Sequence, residues 1–147
     1  MKTYLLTWNP AKSPWKRLSS DADKSRRGVV IRKMWSCGRI GAILPGDRIF
    51  FLMHHEGKHG IIASGFAVSP VFDADHWDPD KQKAGQEAKY VVVEFDTLLN
   101  PKHDVVLWEN HDILKKGSWR AVGPIGILFP DTDKVEAAWA QLNRKRK

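Results

Sequence analysis

A chain of 147 residues, 42% apolar and 28% charged, fits one compact domain with its own core and excludes a two-domain reading. Its longest apolar runs, Ile49–Met53 and Tyr90–Val93, fall far short of the roughly 20 residues a membrane-spanning helix needs, and Met1–Trp8 turns polar too early for a signal peptide. The formal charge of +7 is unevenly placed, with ten basic and two acidic residues in 1–40, so the N-terminal third is expected to face a polyanion, of which nucleic acid is the commonest.

Thr3–Trp8 predicts a first strand, stopped by Asn9-Pro10 because proline forces its predecessor to extended geometry and donates nothing to a ladder. Ser13-Pro14 has the character of an N-cap and first helical position, and Trp15, Leu18 and Ala22 follow at helical spacing. This predicts a basic helix over Pro14–Arg27 carrying Lys16, Arg17, Lys24, Arg26 and Arg27, stopped at Gly28. Val29–Ile31 is a short β-like run that leads into a glycine-flanked loop, Met34-Trp35-Ser36-Cys37-Gly38. Cys37, the lone cysteine, excludes an internal disulfide, fits a reducing cytoplasm and is most simply a small buried thiol.

Arg48–Met53 and Gly60–Phe66 predict a hairpin with His54–His59 at its turn. Ile49–Met53 is apolar without alternation, which places that strand under cover on both faces. Ala67–Phe72 extends the sheet, 73–88 is a polar loop or short helix holding Trp77, and Tyr90–Asp96 is another buried strand. Asp112–Lys116 is a short helical piece and Ile125–Phe129 a last strand ended by Pro130. Asp133–Glu136 has capping-box spacing, opening a helix whose apolar face is Val135, Ala138, Trp139 and Leu142, to about Asn143; Arg144–Lys147 is a basic tail or the start of a linker.

His55-Glu56-Gly57-Lys58-His59 matches the H-E-x-x-H zinc-protease pattern. That chemistry needs both imidazoles on one face of a helix, whereas Gly57 and Gly60 between strand-like runs point to a hairpin tip, so no metal and no cofactor is expected. No phosphate loop, serine elbow or carboxylate pair appears, and an enzymatic reading lacks an active site. Seven tryptophans, about one residue in twenty, are the other departure from the ordinary. Indoles interleaved with basic residues are the usual apparatus for gripping an unpaired base. Trp15 and Trp139 fit core positions on helices, and Trp108 falls in no predicted element.

In order along the chain stand Thr7-Trp8-Asn9-Pro10, Trp35-Ser36-Cys37-Gly38, Pro45-Gly46-Asp47-Arg48, Gly60–Gly65, His76-Trp77-Asp78, the Tyr90–Asp96 strand and Trp119. This ordered set resembles the EVE domains, members of the PUA superfamily related to YTH domains, and most of all those found N-terminal in modification-dependent HNH endonucleases. The resemblance implies an α+β fold, a PUA-like small mixed β-barrel with flanking helices over 1–143. It also implies a pocket for one flipped-out modified base, 5-methylcytosine or 5-hydroxymethylcytosine in double-stranded DNA, and an HNH nuclease as fused or separate partner. Carried over by position, Trp35 and Trp77 are the cage walls, Ser36 and Asn9 polar contacts to the base, and Trp8 and Trp119 further pocket lining or floor. Lys16, Arg17, Lys24, Arg26, Arg27 and Arg39 are expected on the nucleic-acid backbone. Where related chains carry a polar Gln/Ser-Ser-Gly after the late tryptophan, this one has Trp119-Arg120-Ala121-Val122-Gly123. A YTH-like reader of N6-methyladenine in RNA, and an enzyme acting on a base or small molecule in the same pocket, are the alternatives.

Overall fold

The structure, a computed structural model, describes residues 1–38, 40–55, 58–108, 127–128 and 132–146. It is a mixed α+β fold built on one sheet. The elements are β1 (Thr3–Trp8), α1 (Leu18–Arg26), β2 (Ile31–Ser36), β3 (Arg48–His55), β4 (Lys58–Ala67), β5 (Phe72–Asp75), α2 (Pro79–Lys83), β6 (Glu87–Leu98), β7 (Leu107–Trp108), β8 (Ile127–Leu128) and α3 (Thr132–Arg146). Among the described residues the sheet runs β2-β6-β4-β3-β1-β8, with β5 paired to β6 and β7 to β4. β1 lies parallel to β3, Thr3 opposite Arg48 through Trp8 opposite Met53, and the other pairs are antiparallel. None of the described helices is long and apolar enough to cross a membrane.

Two irregularities bend the sheet. The register shifts between Phe51 and Leu52 in the β3–β4 ladder and between Ser64 and Gly65 in the β4–β6 ladder, and an extra residue on one strand sharpens local twist. Curvature is what brings Trp35 on β2, four ladders from β1, close enough to donate its indole N–H to the Thr7 carbonyl at 3.1 Å.

Strand alternation divides the core in two. Tyr4, Leu6, Trp8, Ile49, Phe51 and Met53 join Leu18 and Ala22 of α1 on one face. Leu5, Phe50 and Leu52 face the other way, onto Val135, Ala138 and Trp139 of α3. The unalternating run Ile49–Met53 is thus covered on both sides. α3 is further fastened by polar contacts: Trp139 Nε1 donates to Ser64 Oγ at 2.8 Å, and Arg48 forks onto both Glu136 carboxylate oxygens at 2.9 and 3.1 Å while donating to Asp96 at 2.7 Å. A buried guanidinium is tolerable only with its donors satisfied. Glu136, expected in a capping box, is instead this partner, and α3 begins at Thr132, which puts Asp133, the expected N-cap, inside the helix.

Three other expectations are corrected. α1 starts at Leu18, with Arg17 at its N-cap and no side-chain cap, because residues 9–13 form a tight turn in which the Lys12 and Ser13 N–H groups bond the Asn9 carbonyl. Ser13 therefore caps nothing; its carbonyl accepts the Trp8 indole N–H at 2.6 Å. Trp35 and Ser36 lie on β2 rather than in a loop. The hairpin strands run on through His55 and from Lys58, so His55 and His59 sit on opposing strands, a geometry unlike the helical zinc motif. Cys37 is buried, and burial pushes its thiol pKa up. Trp108 belongs to β7, opposite Gly60, where a side chain on Gly60 would meet the indole at 2.7 Å. Residues 112–116, Trp119 and Arg39 lie outside the described residues; β8 falls within the strand expected over Ile125–Phe129.

Gly65 tests the bent sheet. A Cβ there would collide with the Glu94 carbonyl of the neighbouring strand, which as backbone cannot swing away. Gly65→Ala is expected to destabilise the fold by about 1–3 kcal/mol in denaturant titration, against the slight gain that glycine-to-alanine changes give where space allows.

Candidate nucleic-acid interface

β1 and β2 converge on a cleft of about 500 Å³ lined by Trp8, Asn9, Trp15, Trp35, Ser36 and Trp77, with Lys12, Lys33, Met34, His54 and Tyr90 completing its walls. Five of the six residues expected to hold a base, Asn9, Trp8, Trp35, Ser36 and Trp77, are brought together there. They come from three separated stretches of chain.

The indoles form a connected stack from floor to rim. Trp8 and Trp15, 5% and 7% exposed, meet edge to face at 5.9 Å, and Trp15 packs on Trp35 at 5.5 Å and on Phe95 at 5.8 Å. Trp35 stands edge-on to Phe51 at 5.2 Å. Such pairs contribute about 0.5–1.5 kcal/mol each beyond area burial, so a face left open to the cleft is held in fixed orientation. Each inner indole also has a hydrogen-bond partner for its N–H: Ser13 O for Trp8, Asp21 Oδ2 for Trp15, Thr7 O for Trp35. Trp35 is therefore both wall and structural tie. Trp15, expected on a helix face, precedes α1 and underlies the cleft.

Trp77 differs from these. It is 41% exposed and stands at the corner between β5 and α2, its ring 5.2 Å from that of His76. The corner is set by Asp78, whose side chain caps α2 by accepting from the Asp80 N–H at 3.0 Å, and whose own N–H donates to His76 Nδ1 at 3.0 Å. Tyr90 braces the same corner, its hydroxyl donating to the Asp75 carbonyl at 2.6 Å. Asn9 uses its side-chain oxygen on the Ala11 N–H. Its amide nitrogen and the Ser36 hydroxyl have no partner among the described residues.

Electrostatically the cleft is one-sided. Two lysines and a histidine line it and, among the described residues, no carboxylate does. Lys33 alternates with Trp35 on the less exposed face of β2, and its ammonium lies 4.4 Å over the Trp15 ring; burial pushes its pKa down, opposed by Asp21. His54, edge-on to His59 at 4.4 Å, is pushed down by burial and then by His59. Neither is signalled by the sequence: Lys33 follows the end of the apolar run Val29–Ile31, and His54 adjoins the glycine-containing turn.

The expected backbone contacts divide. Lys16, Arg17 and Lys24 are exposed and form no ion pair among the described residues. Arg26 is bridged to Asp104 at 2.7 Å and Arg27 to Asp23 at 3.0 Å. Lys16, Arg17 and Arg26 share a second groove with Ser19, Asp23, Asn100 and His103.

No family model and no curated protein matches this chain. Among solved structures it is similar to a hypothetical protein from Leishmania major, at 16% identity and a TM-score of 0.59 over 100% of this chain and 98% of that one. It is also similar to an NMR structure from Rhodopseudomonas palustris, at 14% identity and a TM-score of 0.53 over 97% and 90%. Likeness at this identity speaks to the fold.

His54 gives the cleft a measurable pH signature. The unfolded chain protonates this imidazole near its ordinary value of 6.5, while the folded chain resists until the pH is lower, so the unfolded state binds more protons in that window and stability falls as pH drops below about 6.5. His54→Gln is expected to shrink the stability difference between about pH 7.5 and pH 5 in denaturant titrations; an unchanged difference would place the titration elsewhere.

Proposed function

We propose that this chain is a reader of modified DNA, a binding module of the EVE kind with a PUA-like barrel, whose cleft receives one extruded cytosine carrying a 5-methyl or 5-hydroxymethyl group. The observation that carries the reading is the cleft itself: indole faces, two lysines and a histidine around about 500 Å³, with no carboxylate among the described lining residues. A volume of this order lies in the range of small-ligand clefts and admits a base together with its sugar. Stacking between the faces of Trp35 and Trp77 supplies roughly 1–3 kcal/mol per face, against the few kcal/mol spent in unstacking a base from a duplex.

Stacking does not choose a modification. One methyl group transferred from water is worth about 0.8 kcal/mol, near fourfold in affinity. Selectivity must come from a snug fit or from polar groups that the wrong base leaves unpaired, and the Asn9 amide nitrogen and Ser36 hydroxyl are available for it. Lys16, Arg17 and Lys24, exposed and outside any ion pair among the described residues, are the better phosphate contacts; Arg26 and Arg27 would first have to leave their carboxylates. Such contacts position the duplex without reading sequence. The module acts on cytoplasmic DNA without a cofactor, and the chemistry that follows recognition belongs to a partner such as an HNH nuclease.

The test is binding to matched oligonucleotides carrying cytosine, 5-methylcytosine, 5-hydroxymethylcytosine or N6-methyladenine, as duplex DNA and as RNA. A modified cytosine in duplex DNA is expected to bind most tightly. Trp77→Ala should lower that affinity by about 1–3 kcal/mol with an unchanged unfolding midpoint, because the ring is exposed. Tightest binding to N6-methyladenine RNA, or unchanged affinity in Trp77→Ala, would contradict the reading.

A further inference from the structure

A protein that recognises 5-methylcytosine must also reject thymine, which carries the same methyl group at the same ring position. Stacking on Trp35 and Trp77 treats the two rings alike, and a methyl-sized niche admits both. They differ on the pairing edge: cytosine presents a lone pair at N3 and an amine at C4, thymine an N–H at N3 and a carbonyl at C4. Discrimination therefore requires a group at that edge that can only donate or only accept.

We propose that Lys33 is that group, a specificity-determining residue whose ammonium donates to N3 of the extruded cytosine and turns thymine away. The inference rests on the modified-cytosine reading above. Lys33 and Trp35 are alternate residues on one face of β2, about 6.6 Å apart along the strand, so a ring stacked on the Trp35 indole turns an edge toward the Lys33 side chain. The ammonium is held 4.4 Å over the Trp15 ring, in the cleft wall. It makes no ion pair among the described residues, and the Asp21 carboxylate that acts on it through space already accepts the Trp15 indole N–H at Oδ2. A partly desolvated ammonium without a bonded acceptor is a standing cost that a lone pair on the ligand relieves. Lysine has three donors and no acceptor. It satisfies cytosine N3 and cannot satisfy thymine N3–H, which would be buried against a like donor. Ser36 cannot substitute for it, since a hydroxyl both donates and accepts, and the Asn9 amide, its oxygen held by the Ala11 N–H, offers a neutral donor in place of a charged one.

The experiment compares wild type, Lys33→Met and Lys33→Arg on one duplex with an abasic site opposite the target, so that opening costs the same for every base. The target is cytosine, 5-methylcytosine, thymine or 3-deaza-5-methylcytosine, which replaces N3 by C–H. Wild type is expected to prefer 5-methylcytosine to thymine and to the deaza base by about ten- to hundredfold, the weight of a hydrogen bond to a charged group. Lys33→Met should lose most of both preferences while keeping that for 5-methylcytosine over cytosine, and Lys33→Arg should retain part of them. Equal wild-type affinity for 5-methylcytosine and its deaza analogue overturns the assignment without recourse to any variant. So does a Lys33→Met protein that still rejects thymine, or one that weakens on every target alike with the salt slope reduced by about one, the mark of a phosphate contact. Wild type with no preference for 5-methylcytosine over cytosine overturns the modified-cytosine reading itself, an outcome distinct from these.

Discussion

The hydrogen bond from the Trp35 indole to the Thr7 carbonyl is the tie on which the cleft depends. It joins strands four ladders apart along the sheet, and with the Trp8–Trp15–Trp35–Phe51 packing it turns a bent sheet into a walled depression. The tie exists because the sheet is curved, and the curvature is local in origin: register shifts at Phe51/Leu52 and Ser64/Gly65, with Gly65 allowing the β6 backbone to approach where any side chain would collide. α3 then covers the opposite face through Trp139 and the Arg48 fork. The indole floor is a consequence of packing before it is a feature of recognition.

This double use separates residues by what their loss does. Trp8 and Trp15 are floor, buried with their N–H groups engaged. Trp35 is wall and tie together, so its removal disturbs the fold along with the site. Trp77 and Lys33 carry little of the core. Trp77 stands at an exposed corner fixed by Asp78 and Tyr90, and Lys33 lays its ammonium over the Trp15 ring without an ion pair among the described residues. Side chains held in place at some cost to solvation, yet spare to the packing, are where function is expected to reside.

Much of this was legible in the residues. Thr3–Trp8 is a strand at its anticipated bounds because Asn9-Pro10 permits no other end. The hairpin, the two-sided cover of Ile49–Met53 and the thiol of Cys37 follow from local pattern. What failed did so where distant contacts overrode that pattern. Ser13-Pro14 looks like a helix start, but the Trp8 indole claims the Ser13 carbonyl and the chain turns tightly around Asn9. β2 is obscured because Arg32 and Lys33 break the apolar run, although Ile31, Lys33 and Trp35 alternate with the exposed Arg32 and Met34. β7, two residues long, has no periodicity to detect; the signal for it was Gly60, whose missing side chain makes room for Trp108. That Asn9, Ser36 and Trp77 share a cleft followed from a resemblance in motif order, whereas Lys33 and His54 enter it through strand geometry alone.

The central claim is that a base leaves the duplex to enter this cleft, and a fluorescent base placed opposite a modified cytosine measures that directly. If the cytosine is extruded, the reporter loses its stacked partner and brightens on binding, and affinity rises by no more than the few kcal/mol of unpairing when the opposing position is mismatched or abasic. A reporter that stays quenched, with affinity indifferent to the opposing base, would mean that the methyl group is read from the major groove, and the cleft between Trp35 and Trp77 would have another purpose.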